Sequence, residues 1–234
     1  MSDRATRLIG LYAAIAGLAA VLVTPLLALA YFATDDGAYE LDTSTVSAWA
    51  KPGRDLAGGL LTFASTGRVY GTYLQAFAVI FPAALLCALA VRSRRPAQQP
   101  RLERWGWRAV LVGYAVLTLG LVIAFGMETA GVITGTSSHS DALNVVFLSV
   151  LFPGVFLSTV GSSLLGAALV RSSFAPRTSA WLLALAFPLW IAGSFVLGHN
   201  GVGLAPILIA WGVAGLELWR PRRSQAFETG VVSA

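Results

Sequence analysis

The chain has 234 residues, of which 56% are hydrophobic and 12% charged, and its mean hydropathy is +0.73. Soluble globular domains carry about 25% charged residues and are less apolar. The formal net charge of +5 would suit nucleic-acid binding in a soluble protein, but the basic residues here flank long apolar runs, so no nucleic-acid partner is expected. The composition therefore predicts one integral membrane domain over residues 1–234, in contact with membrane lipids.

Six apolar runs are long enough to cross a membrane, since a helix needs roughly 20 apolar residues to span about 30 Å of hydrocarbon. They predict an all-α bundle of six transmembrane helices, and the first is expected to be an anchor helix because it is too long for a signal peptide. The polar residues His199 and Asn200 predict a tight hairpin between the last two runs. The runs cover residues 8–32, 70–91, 106–127, 144–170, 180–197 and 201–219.

The basic residues predict the orientation, because arginine and lysine in short loops stay on the cytoplasmic side. The side opposite the termini has only Lys51, Arg54 and Arg68, in a long first loop over residues 33–69. We therefore expect a plasma-membrane protein with both termini in the cytoplasm and a long first extracytoplasmic loop. Thirteen of the 16 basic residues fall on the predicted cytoplasmic side: Arg4, Arg7, Arg92, Arg94, Arg95, Arg101, Arg104, Arg108, Arg171, Arg177, Arg220, Arg222 and Arg223.

Aromatic, proline and small residues predict how the helices are shaped and packed. Tryptophans beside the basic flanks are expected at the cytoplasmic membrane interface, namely Trp105, Trp107, Trp181 and Trp219. Prolines inside five of the runs predict a kinked bundle, namely Pro25, Pro82, Pro153, Pro188 and Pro206. Small residues of the fourth run predict a packing centre, namely Gly154, Ser158, Gly161, Ser162, Ser163, Gly166 and Ala167.

Several kinds of chemistry are disfavoured by what the runs lack. Lys51 is the only lysine and lies in a loop, which excludes a retinal Schiff base within the membrane. The carboxylates stand at the ends of runs, whereas ion-coupled transporters usually carry them near the midplane. With Cys87 as the only cysteine and two histidines in the chain, neither a cofactor nor a metal site is expected.

One group of polar residues at the predicted outer face is a candidate site. Glu128 ends the third run, His139 and Asp141 precede the fourth, and His199 lies in the last turn. A histidine beside carboxylates suits general acid and base catalysis, or a mixed nitrogen and oxygen metal site. The alternative is a set of solvated loop residues, in which Asp141 only caps the fourth helix.

The two long predicted loops, one outer and one inner, are expected to have different roles. The outer loop, residues 33–69, mixes charged residues with apolar ones such as Trp49 and Leu60, so parts of it could cover a cavity or dock a partner. The inner loop, residues 92–105, is rich in arginine, and topology together with contact with anionic lipid explains it sufficiently.

Two resemblances add expectations. The stretch from Leu164 to Pro188 resembles uncharacterised small multi-pass membrane proteins of actinobacteria, which implies a bacterial membrane protein and carries over no site residue. The size and kinked helices are loosely similar to those of membrane-bound terpene cyclases, which protonate an isoprenoid with acidic residues. That resemblance implies Glu128 and Asp141 as the acids.

Three hypotheses for function remain open. The favoured one is a module that binds a lipid or an apolar small molecule, or scaffolds a protein partner or a second copy of the chain. The alternative is a membrane-embedded enzyme that acts on an isoprenoid or lipid at the extracytoplasmic face, with Glu128, His139, Asp141 and His199 as acid and base candidates. The third is a facilitator for a neutral solute, lined by the residues Thr24, Gln75, Thr118, Ser158 and Ser194, although such residues more often bond to their own helix.

Overall fold

A computed structural model describes residues 1–34, 37, 50–53, 55, 66–96, 98–134, 145–172, 174–197 and 204–220. Within these ranges every regular element is a helix. The helices are α1 (Asp3–Phe32), α2 (Thr66–Ile80), α3 (Pro82–Arg92), α4 (Arg101–Thr134), a π-helical turn (Phe147–Leu151), α5 (Phe152–Arg171), α6 (Arg177–Ala184), α7 (Ala186–Leu197) and α8 (Ala205–Trp219).

Four helical segments are long and apolar enough to cross a membrane: Asp3–Phe32, Gly67–Arg92, Arg101–Gly131 and Phe147–Arg171. They coincide with the first four predicted runs, so the prediction of an all-helical, membrane-embedded fold is confirmed at this level. The fifth run is divided between α6 and α7, with 8 and 12 residues, and α8 is apolar but has only 15. The count of six crossings therefore stays a prediction.

Pro188 explains why the fifth run forms two helices. Proline has no backbone N–H, and its ring clashes with the carbonyl group four residues before it, here that of Ala184. The helix is interrupted at the next residue, Leu185. The backbone N–H of Phe187 donates instead to the hydroxyl of Ser163 on α5, at 2.9 Å. A small polar residue of the neighbouring helix thus satisfies a donor at the interruption.

The other prolines have different local effects. Pro82 follows the interruption between α2 and α3, and Pro153 follows the π-helical turn in the first turn of α5. Helix α1 continues through Pro25. Pro206 lies in the first turn of the described helix α8, and its predicted position inside a sixth span stays a prediction. A first-turn proline is tolerated because the N–H there has no intrahelical acceptor. The kinked shape itself stays a prediction.

The small residues of α5 pack directly against α4, in antiparallel orientation. A Cβ atom built on Gly161 would lie 2.9 Å from the backbone nitrogen of Val110, and one on Gly154 would lie 2.9 Å from the Cα of Leu117. The two backbones can approach this closely because the residues at the contact have little or no side chain. The prediction that the fourth run is a packing centre is confirmed, with α4 as its partner.

A second close helix pair joins the two ends of the chain. Helices α1 and α8 share one of the most extensive interfaces among the described helices. A Cβ atom on Gly17 would lie 3.0 Å from the Cα of Gly212 and 2.9 Å from the carbonyl oxygen of Leu208. The interface runs antiparallel, so the start of α1 lies beside the end of α8.

This packing collects most of the described arginines at one end of the bundle. Tyr12 of α1 donates to the carbonyl of Val79, and Tyr73 donates to the carbonyl of Thr24 at 3.2 Å, so α2 and α3 run antiparallel to α1. The end of α3 and the start of α1 therefore lie at the same end, here called the basic end. Its described arginines are Arg4, Arg7, Arg92, Arg94, Arg95, Arg101, Arg104, Arg108, Arg171, Arg177 and Arg220. The predicted segregation of charge is confirmed, and its orientation in a membrane stays a prediction.

Candidate functional site

Glu128 is the one residue of the predicted outer cluster within the described ranges. Helix α4 continues past it to Thr134, so the prediction that Glu128 ends its helix is wrong, because the small and apolar residues that follow extend the helix. The residue is 7% exposed. A Cβ atom on Gly71 of α2 would lie 2.8 Å from its Oε2 atom, so the glycine leaves room for the carboxylate between α2 and α4.

The other predicted members of that cluster, His139, Asp141 and His199, lie outside the described residues, as does most of the outer loop 33–69. Convergence of these side chains with Glu128 therefore stays a prediction. Within the described ranges, no three His, Cys, Asp or Glu side chains lie close enough together to hold a metal ion.

A different site, which the sequence did not indicate, lies at the basic end. A cavity of about 340 Å³ opens there between the end of α3, the connection from α5 to α6 and the last turns of α8. This volume falls in the lower part of the range usual for small-molecule sites, about 300–1,000 Å³. Its lining residues are Val91, Arg94, Arg95, Phe174, Ala175, Pro176, Ala214, Glu217 and Leu218.

The lining combines an apolar surface with charged groups. Val91 and Leu218 are buried side chains of α3 and α8, and Phe174 adds an aromatic ring from the connection between α5 and α6. Arg94 and Arg95 stand in the turn after α3, and Glu217 stands in the last turn of α8. Such a site can hold an apolar group against one wall and a charged group against the other.

Arg95 is fixed by a bidentate ion pair with Glu103 in the first turn of α4. Its Nε donates to Oε1 at 2.9 Å and its Nη2 donates to Oε2 at 3.0 Å. The indole N–H of Trp107 also donates to Oε1, at 3.3 Å. The Glu103 side chain is 2% exposed, so this carboxylate is removed from water and accepts three hydrogen bonds from two neighbouring residues.

Two further contacts tie Arg95 to the segment after α5. Its Nη2 also donates to the hydroxyl of Ser172 at 3.0 Å, and its guanidinium lies 5.8 Å from the centre of the Phe174 ring, within the range of a cation–π contact. One arginine therefore connects the turn after α3, the start of α4 and the end of α5. This arrangement gives the cavity a rigid wall.

The burial of Trp107 corrects one expectation about the aromatic residues. Trp105, Trp181 and Trp219 are exposed at the basic end, as predicted for interfacial residues, whereas Trp107 is fully buried. Residues two positions apart point to nearly opposite faces of a helix, so Trp105 and Trp107 cannot both face outward. Trp107 instead shares a face with Glu103, four residues earlier, and serves as its hydrogen-bond donor.

The interior of the bundle contains a second polar network. The indole N–H of Trp211 donates to the hydroxyl of Tyr114 at 2.8 Å, and that hydroxyl lies 2.7 Å from the Oγ of Ser162. The Sγ of Cys87 lies 3.5 Å from the carbonyl oxygen of Trp211. These residues join α3, α4, α5 and α8. The network fixes how the helices pack and leaves Cys87 buried, as expected for a packing residue.

The polar residues considered as a lining for a solute path behave in two ways. Ser194 donates to the carbonyl of Trp190 in its own helix, as serine in membrane helices usually does. The hydroxyls of Thr24, Thr118 and Ser158 are buried and have no hydrogen-bond partner within the described part of the chain. The expected bond to their own helix is therefore not made at these three positions.

The described helices and the one-sided distribution of arginine define an all-helical, membrane-embedded protein with a cavity at its basic end. No family model, no curated protein and no solved structure matches the chain.

Proposed function

We propose that this protein binds a lipid or an apolar small molecule in the cavity at its basic end, and that it acts as a binding or scaffolding module. The observation that carries the proposal is the lining of the cavity, which combines the apolar side chains of Val91, Phe174 and Leu218 with the charged groups of Arg94 and Arg95. An amphiphile needs this combination, because its chain leaves water while its polar group keeps hydrogen-bonding partners.

The proposal includes a bacterial cell-membrane location with six crossings and both termini in the cytoplasm. The 8 residues of α6, Leu185 and the 12 residues of α7 would together span about 30 Å at about 1.5 Å per residue, enough for a fifth crossing. The 15 residues of α8 are apolar and lie within the sixth predicted run, residues 201–219, which supports a sixth crossing. The gathering of arginines at the basic end supports a cytoplasmic position for that end.

The exposed tryptophans support a lipid as the ligand. Indole rings favour the depth of lipid headgroups, where one edge meets lipid and the N–H meets water. Trp219 directly follows the cavity residue Leu218, and Trp181 lies one helical turn after the start of α6. These positions support a cavity that opens at the depth of the headgroup and first chain carbons of a membrane lipid.

Filling the cavity from its exposed wall tests the proposal. Ala175 is exposed and lines the cavity, so Ala175→Trp should occupy the space without disturbing the helix interfaces. Thr178→Trp is the matched control, because Thr178 is exposed nearby and does not line the cavity. We expect native mass spectrometry of the full chain in mild detergent to detect a retained lipid with the wild type and Thr178→Trp. Equal retention by Ala175→Trp would rule out the cavity as the binding site.

Burial of Glu128 favours one second candidate, a membrane-embedded enzyme that acts on an isoprenoid or lipid by acid and base chemistry. A carboxyl group held between α2 and α4 could donate or accept a proton away from bulk water. Glu128→Gln should then abolish conversion of an added isoprenoid substrate, while Asp3→Asn, at an exposed carboxylate of the other end of the bundle and outside the cavity lining, should not. Conversion that survives Glu128→Gln would dismiss this candidate.

A further inference from the structure

We propose that the cavity at the basic end recognises a phosphate-bearing lipid headgroup, with Arg94 as its principal contact. The inference rests on the proposed binding of a lipid in this cavity and adds the chemical class of the headgroup. It follows from the charge around the cavity, from the state of its two arginines and from the helix that begins at its edge.

Among the described residues, the charged groups that line the cavity and their ion-pair partners leave an excess of positive charge. Arg94, Arg95 and Glu217 line it, Glu103 pairs with Arg95 at 2.9 Å, and Arg220 pairs with Glu217 at 2.7 Å. Three arginines against two glutamates leave one positive charge. A zwitterionic headgroup brings no net charge to compensate for it, whereas a phosphate monoester does. The cavity therefore matches an anionic ligand.

Arg94 carries the uncompensated charge. It is exposed and lines the cavity, and the ion pairs within the described ranges join other residues, namely Arg95 with Glu103 and Arg220 with Glu217. Its guanidinium presents a planar set of N–H donors whose spacing matches two oxygens of a phosphate group. A phosphate in the cavity would therefore gain a bidentate contact that breaks no existing ion pair of this arginine.

Arg95 offers a second, fixed donor. Its Nε and Nη2 are used by Glu103 and Ser172, whereas its Nη1 donates to no group that the structure describes. The ion pair and the contact with Phe174 already hold the side chain in place, so little conformational entropy remains to be lost on binding. Adjacent flexible and fixed arginines are a suitable pair for one phosphate.

The first turn of α6 adds a third favourable element. Pro176 is the N-cap residue of this helix and lines the cavity, and no side chain caps the N-terminal N–H groups. These groups and the helix dipole favour negative charge within the first turn. The helix start thus supports the same sign of ligand as the two arginines.

The apolar wall identifies the source of the phosphate as a lipid. Inorganic phosphate has no apolar part that could be buried against Val91, Phe174 and Leu218, so these lining side chains would contribute nothing to its binding. A phospholipid can place its glycerol and first chain carbons against the same wall. The exposed Trp219 beside the cavity is consistent with headgroup depth.

The test compares two lipids with identical acyl chains, phosphatidic acid and phosphatidylcholine, titrated onto the full-length protein and followed by native mass spectrometry. We expect the wild type to bind phosphatidic acid about tenfold more tightly, as a charge-assisted bidentate contact would provide. Arg94→Gln should remove that preference. Arg92→Gln, which removes an equal charge from the end of α3 outside the cavity lining, should keep it. Glu217→Gln should strengthen binding of phosphatidic acid.

Four other outcomes would overturn the inference, and each points to a different explanation. Equal affinity for the two lipids, or equal losses in Arg94→Gln and Arg92→Gln, would mean that only general surface charge attracts the lipid. Displacement of phosphatidic acid by an equal concentration of inorganic phosphate would make free phosphate the ligand. If Ala175→Trp abolishes binding of both lipids while Arg94→Gln changes neither, the lipid site stands and the headgroup assignment fails. If Ala175→Trp changes nothing, the proposed function fails as well.

Discussion

Gly10 of α1 and Gly215 of α8 lie in direct backbone contact, and the contact is reciprocal. A Cβ atom on either glycine would lie 2.6 Å from the carbonyl oxygen of the other. No real Cβ atom tolerates such a distance from backbone, so both positions require glycine as long as the helices keep this separation. The contact brings the first and last described helices together and thereby positions the end of α8, which forms one side of the cavity.

Gly215→Leu should therefore force α1 and α8 apart. Overpacking of a tight interface typically costs about 1–3 kcal/mol, and a leucine against backbone belongs at the upper end. We expect a fall of several degrees, roughly 5–10 °C, in the apparent melting temperature of the detergent-solubilised protein. Gly126→Leu is the control, because a side chain there meets nothing within 4 Å. Similar melting temperatures for the two variants would contradict the described interface.

Glu103→Gln should destabilise the basic end, because Glu103 is a buried carboxylate in the first turn of α4. The substitution leaves Arg95 without its ion pair at a site where the carboxylate is 2% exposed. Loss of one partner of a fully buried pair costs about 3–5 kcal/mol, and because the Arg95 side chain is 20% exposed we expect a smaller loss here, of roughly 2 kcal/mol. Thermal unfolding followed by tryptophan fluorescence should register the loss.

The exposed pair of Arg220 with Glu217 provides the matched comparison. Its side chains are 64% and 51% exposed, and such pairs are worth at most about 1 kcal/mol. Glu217→Gln should thus leave the melting temperature nearly unchanged. If Glu103→Gln is equally harmless, the ion pair of Arg95 does not organise the cavity wall.

Tyr114→Phe should weaken the junction of α4, α5 and α8. The substitution removes the hydroxyl that accepts from Trp211 and lies 2.7 Å from Ser162. We expect a loss of about 1–2 kcal/mol, since a buried indole N–H is left without an acceptor. A double-mutant cycle with Ser162→Ala measures the coupling directly. Fully additive effects in that cycle would mean that the two hydroxyls do not interact.

The proposed orientation predicts which loops are accessible from outside the cell. In a Cys87→Ala background, Ser138→Cys should react with a membrane-impermeant maleimide in intact cells, because it lies in a predicted outer loop. Gln98→Cys, at an exposed position of the inner loop, should react only after the membrane is permeabilised. The reverse pattern would place both termini outside the cytoplasm.

Hydropathy was sufficient to predict the long helices, and local composition was sufficient to predict one of the two tight interfaces. In lipid, backbone N–H and C=O groups must find hydrogen-bond partners within the protein. An apolar run long enough to cross the membrane therefore forms a helix, in which each segment makes its own backbone hydrogen bonds. The series of small residues from Gly154 to Gly166 marks a packing face for the same local reason. The contact of Gly10 with Gly215 could not be predicted, because nothing in either local pattern identifies a partner so distant in the chain.

The cavity was missed because its residues resemble ordinary loop charges in sequence. Arg94 and Arg95 stand in an arginine-rich segment that topology explains, and their different states depend on Glu103 and Ser172. One local signal was present, since Glu103 and Trp107 are four residues apart and so share a helix face. The cavity itself is formed by three segments that are distant in sequence. The hydrophobic periodicity of a single segment does not indicate which distant segments it will contact.

Photo-crosslinking tests most directly whether the cavity holds a lipid. Phosphatidic acid with a diazirine near the glycerol would be incorporated in nanodiscs with the full-length protein, irradiated, and mapped by peptide mass spectrometry. We predict labelling concentrated in the peptides that contain Val91 and Phe174, and its loss in Ala175→Trp but not in Thr178→Trp. Labelling spread evenly over exposed apolar positions such as Leu119 and Leu148, unchanged by either substitution, would contradict a lipid site in the cavity.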